Sequence, residues 1–104
     1  MAWTWLTIAG LFEIAWVIGL KLSNGFTRPI PSAVTVFAMI ASMWLLGLAT
    51  RTLPIGTAYA VWTGIGAAGA AIAGILLFQE PRTALRIACI AAIILGVAGL
   101  RANG

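Results

Sequence analysis

Residues 3–20 read WTWLTIAGLFEIAWVIGL, a run with a single charge, Glu13, near its middle. An α-helix needs about 20 mostly apolar residues to cross the hydrocarbon core of a bilayer. Residues 32–49, 55–78 and 83–100 give three further runs of this kind. Backbone polar groups in lipid must be satisfied internally, so only helices or a closed barrel can span. The runs lack the alternation of barrel strands, and four strands could not close a barrel. The expected fold is therefore an all-α membrane protein with four transmembrane helices. The first run does not read as a cleavable signal peptide, because it lacks a basic start and carries Glu13.

Composition points to the same solvent. Of 104 residues, 62% are hydrophobic, and there are only six basic and two acidic side chains. A soluble domain has about a quarter of its residues charged; this chain would expose large apolar patches to water. Residues 1–104 are read as one four-helix transmembrane domain, with no length left for a soluble catalytic domain. The net charge of +4 is no nucleic-acid footprint. Lys21, Arg28, Arg51, Arg82, Arg86 and Arg101 stand singly or in pairs between apolar runs, where interfacial residues belong. They form no basic stripe. With one cysteine, Cys89, and no histidine, an intrachain disulfide, a cysteine-based or histidine-ligated metal site and a Ser-His-Asp triad are all excluded. No cofactor is expected, and no nucleophile is paired with a base as an enzyme would require.

The breaks between runs are short: Ser23-Asn24-Gly25, Arg28-Pro29-Ile30-Pro31, Arg51-Thr52-Leu53-Pro54 and Gln79-Glu80-Pro81-Arg82. Proline is tolerated in a first helical turn, whose amides have no intrahelical partner. Connections this short predict that consecutive helices are antiparallel and adjacent. The third run is rich in small residues, and Gly69, Ala70, Ala73 and Gly74 suit a face for close helix packing in lipid. Gly64 and Gly66 lie close together in mid-span and are expected to act as a hinge, because they lower the cost of a bend.

Glu13 is the one ionisable side chain deep within a run. Charge at that depth is expensive and marks function by default. No basic residue lies at the same depth, so its partner is a proton or a cation. A carboxyl in a low-dielectric place holds its proton more tightly than in water, and it cannot hold a proton and a cation together. That competition is sufficient for a proton-coupled antiporter. Gly10 and Trp16 flank Glu13 at helical spacing, Gly10 leaving space and Trp16 offering an aromatic wall. Tyr59 and Trp62 share a face of the third run. Aromatic faces attract desolvated cations. Trp3 and Trp5, at a helix end, suit interfacial anchors, and Trp44 is given no role. Ser42, in mid-span, suits equally a site role or a hydrogen bond to a carbonyl one turn back.

These residues carry a resemblance. Glu13-Ile14-Ala15-Trp16, Leu20-Lys21 and Ser23-Asn24-Gly25-Phe26-Thr27 resemble the first helix and loop of the small multidrug resistance family. The stretch RTLPIGTAYAVWTGIG, residues 51–66, resembles that family's third helix. Trp16 and Gly56-Thr57-Ala58 resemble its guanidinium-exporting subtype. The resemblance implies an antiparallel, dual-topology homodimer in the bacterial inner membrane that exports guanidinium-type cations against protons. It implies that Glu13 binds both, with Trp16, Ser42, Tyr59 and Trp62 around it. It gives the fourth helix to dimer contacts through Gly96, on a face shared with Cys89 and Ile93. The residues themselves agree with a planar cation, because a guanidinium matches a carboxylate in a forked geometry. The alternatives are a multidrug exporter of quaternary ammonium cations, a non-transporting membrane subunit and a passive cation channel.

Overall fold

The computed structural model describes residues 1–103 and contains four helices: α1 (Ala2–Leu22), α2 (Pro29–Ala49), α3 (Ile55–Leu77) and α4 (Ala84–Asn103). Each is long and apolar enough to cross a membrane. The helix α2 begins three residues before the expected apolar run, because Pro29 occupies its first turn and Arg28 caps it in an extended conformation. A proline there forfeits no intrahelical hydrogen bond.

Hydrophobicity does not press helices together in lipid, whose tails are as apolar as leucine; close backbone approach and hydrogen bonds do. The helix α1 illustrates this. Gly19 faces Thr35 of α2, where an added Cβ would lie 2.5 Å from the hydroxyl oxygen. Gly10 faces Ile65 of α3, at 2.6 Å by the same measure. Ile14 rests directly on Gly69 of α3. These pairs put α1 antiparallel to α2 and parallel to α3. On the far side of α3, Gly64 meets Val97 of α4, where a Cβ would lie 2.5 Å from the valine methyl. The order across the molecule is therefore α2, α1, α3, α4. The expectation that all consecutive helices are adjacent fails at one step. Helices α2 and α3 touch only briefly, and both lean on α1. The turn after Thr50 carries the chain past α1, closed by Leu53 N–H donating to Ala49 O at 3.0 Å.

The resulting body measures 39 × 34 × 16 Å over its Cα atoms. With helices about 10–12 Å across, it is closer to a slab than to a square bundle. Leu6, Ala49, Ala58 and Val61 form a small core where three helices meet. The helix α4 packs on α3 alone apart from its end, where the Arg101 guanidinium lies 4.7 Å from the Trp3 ring centroid. Ile90 is its one buried residue among those described.

The first loop is tightly built. Asn24, Gly25 and Phe26 all take positive φ, at 50°, 72° and 66°. Buried Ser23 holds them: its hydroxyl donates to Leu20 O at 2.7 Å and accepts from Phe26 N–H at 3.0 Å.

Candidate functional site

Glu13 stands in the middle of α1, facing α3. Its carboxyl group lies directly over the backbone of Gly66. A Cβ on residue 66 would be 2.5 Å from Glu13 Cδ and 2.7 Å from Oε2. Real side chains do not tolerate such distances, so any residue larger than glycine displaces the carboxyl. Glu13 Oε2 is buried and has no hydrogen-bond partner. Among the described residues no cation pairs with it. An acidic oxygen can take a proton or accept from a positively charged donor.

The residues expected beside Glu13 are distributed unevenly. Ser42 is fully buried and joins three helices. Its hydroxyl donates to Ala9 O of α1 at 2.7 Å and accepts from Trp62 Nε1–H of α3 at 2.8 Å. Of the two readings open for Ser42, the bond to a carbonyl one turn back within α2 is not made, because the carbonyl of α1 is presented at contact distance. A hydroxyl has one proton and two lone pairs. With the proton committed to Ala9 and one lone pair to Trp62, Ser42 can act toward a ligand only as an acceptor, as a cation requires. Trp62 is thereby fixed in orientation, and Tyr59 stands against it with ring centroids 5.7 Å apart and a 47° tilt. Tyr59 is itself 56% exposed. Trp16 is half-buried one turn beyond Glu13.

Gly10 is buried in the α1–α3 contact, with Ile65 in the space beside it. The helix α3 is continuous through Gly64 and Gly66, the two glycines expected as a hinge, and both are points of close approach. Gly66 admits the Glu13 carboxyl and Gly64 admits Val97. Gly96 has nothing within 4 Å of where a Cβ would stand, and Cys89 is exposed, so this side of α4 is uncovered. Ile93 instead leans toward Gly64. The part played by Ile65 and by the Ala9 carbonyl had no signal in the sequence. Any apolar residue reads alike there, and a main-chain carbonyl has no letter of its own.

The family model described as Small Multidrug Resistance protein matches residues 1–93, a span that includes Glu13, Ser42, Tyr59 and Trp62. The chain belongs to the small multidrug resistance family. Curated relatives agree. The chain is 56% identical to a protein named Guanidinium exporter from Escherichia coli (strain K12), over 97% of this chain and 96% of the relative. A protein of the same name from Shigella flexneri matches equally, and one from Citrobacter freundii is 55% identical over the same shares. In this small multidrug resistance protein the α1 carboxyl is thus seated on an α3 glycine, and an α2 serine holds Trp62, against which Tyr59 stands.

Proposed function

We propose that this multi-pass protein of the bacterial inner membrane exports guanidinium and small guanidinyl cations in exchange for protons, working as an antiparallel homodimer. The observation that carries the reading is Glu13: a mid-span carboxyl with one oxygen buried and unpartnered, against bare backbone at Gly66. The names of its relatives supply the substrate class. A carboxylate receives a guanidinium through two parallel N–H···O bonds, and the fully buried Ser42 holds the Trp62 ring in orientation. The faces of Trp62 and Trp16 suit a flat cation.

Two copies inserted in opposite senses bring two Glu13 side chains to one central site, where they titrate as a coupled pair. A cation entering between them displaces protons, and protons displace the cation. When the outside is more acidic than the inside, this competition drives export. Guanidinium affinity is therefore lost as pH falls and the carboxyls take up protons.

The test is guanidinium binding to purified protein across pH, with proton release followed by a dye. Wild type should release protons on binding and bind more weakly at lower pH. Glu13→Gln should do neither, while Glu13→Asp should retain both with an altered pH dependence. Binding by Glu13→Gln with wild-type pH dependence would falsify the shared site. A bulky aromatic cation in a parallel titration should compete poorly, given the indole wall at Trp16.

A further inference from the structure

The chain has two acidic residues, Glu13 and Glu80, and both rest on glycines of α3. The Glu80 carboxylate lies over Gly74 as the Glu13 carboxyl lies over Gly66. Gly66 and Gly74 are eight residues apart, about 12 Å along a helix. Between the two acids runs the α1–α3 contact, and toward Glu80 it opens into a cleft of about 330 Å³. Val17, Ile18 and Lys21 of α1 form one wall, Ala70 and Gly74 of α3 the other, and Glu80 stands at the edge. Val17 and Lys21 lie one and two turns beyond Glu13, on its face of α1.

Loop geometry holds Glu80 in this position. Gln79 takes φ 56° and turns the chain back, so that Glu80 N–H donates to Gly74 O at 3.1 Å. The Glu80 carboxylate then accepts from Arg86 Nη2 of α4. Arg86 Nε is buried and has no acceptor, so the guanidinium is only partly satisfied. Glu80 and Arg86 remain 43% and 35% exposed, and ion pairs of that exposure are weak.

We infer that this cleft is a second, outer cation site, in which Glu80 takes a free guanidinium-type cation by exchange for the Arg86 side chain. The substrate class rests on the function proposed above; the site does not depend on Glu13. Arg86 presents to Glu80 the same planar group that the transported cation would present. Exchange therefore keeps one guanidinium paired with Glu80, and the displaced Arg86 side chain must turn to water, because beside the Lys21 ammonium it would otherwise leave the cleft mouth one charge more positive. It also frees Arg86, which ties the loop after α3 to α4. An outer station about 12 Å from Glu13 gives the departing cation an acceptor before it reaches water.

The experiment uses the full chain in lipid nanodiscs with ¹⁵N-arginine, following the Arg86 Nε–H resonance while guanidinium chloride is added. Tetramethylammonium chloride at equal concentration controls for ionic strength, because that cation has no N–H to donate. The resonance should move saturably with guanidinium and not with tetramethylammonium, in wild type and in Glu13→Gln alike. Arg86→Met, which removes the internal competitor, should bind guanidinium at Glu80 several-fold more tightly, read from the backbone amide of Glu80 in a separate ¹⁵N-glutamate-labelled sample. Equal responses to the two salts, or tightening absent in Arg86→Met, would overturn the outer site. If Glu13→Gln retains the Arg86 response while wild type shows no binding at Glu13, the outer site stands and the inner-site reading fails. The wild-type measurement does not rely on any variant folding.

Discussion

At the scale of single residues, the site depends on what occupies the small volume around Glu13. Gly66→Ala places a methyl where the carboxyl now lies. Guanidinium binding at equilibrium should weaken by tenfold or more, roughly 1.4 kcal/mol, and titration calorimetry would read it. Unchanged affinity would show that the carboxyl is not held on Gly66. Ser42→Ala makes a different cut. It leaves the Trp62 indole N–H without its acceptor in a partly buried place, at a cost of about 1–3 kcal/mol. The helices should survive with a lower unfolding temperature, and guanidinium affinity should fall as Trp62 loses its fixed orientation. Ser42→Thr, which keeps the hydroxyl, should recover part of the loss. Equal affinity in Ser42→Ala and wild type would remove Ser42 from the site.

At the scale of elements, α3 carries the greatest demand, because it must fit α1 on one side and α4 on the other while taking two shapes if it bends. A large substitution at Gly64 cannot test bending by itself, since its Cβ strikes Val97 and would push α4 away. Pairing Gly64→Ala with Val97→Ala restores the space and still stiffens the helix, glycine being about 1 kcal/mol less helix-favouring than alanine. The double variant should bind guanidinium normally and transport it more slowly in proteoliposomes; a wild-type rate would refute a hinge at Gly64. The helix α4 contributes in the opposite sense, through what it leaves uncovered. With open space at Gly96 and exposed Cys89 and Leu95, its outer side is available to a second copy. Gly96→Leu should therefore weaken dimerisation in detergent, measured by cross-linking or sedimentation, while leaving helix content unchanged. An unaltered dimer would place the contact elsewhere.

At the scale of the whole molecule, a slab 16 Å deep places the Glu13 face of α1 beside α3 without enclosing it. A second copy would complete the enclosure, and an antiparallel one requires that the chain insert both ways. Lys21, Arg28, Arg82 and Arg86 fall on the side of the first and third loops, and Arg51 and Arg101 on the other. Four against two, narrowed by the N-terminal amine, is a small bias, and orientation follows lysine and arginine counts in short loops. Both orientations should therefore occur in the membrane. Single cysteines in the first and second loops of a Cys89→Ser background, labelled from one side, should each react in part. Complete labelling of one loop and none of the other would exclude dual insertion.

Much of this was legible along the chain. Four runs of apolar residues can be satisfied only as helices in lipid, because the hydrocarbon core leaves backbone groups no other partner. One carboxyl in mid-span stands out because ionisation there is so unfavourable. Solvent and ionisation act on each residue separately, so composition and position report them directly. Neighbours across an interface are another matter. That Ile65 fills the space beside Gly10, that Gly66 seats the Glu13 carboxyl and that Ser42 reaches Ala9 rather than its own helix all follow from the register of α1 against α2 and α3. Register is settled by simultaneous van der Waals fit along whole helices. A shift of one residue turns a helix by about 100° and changes every partner, and no local run of sequence carries that information.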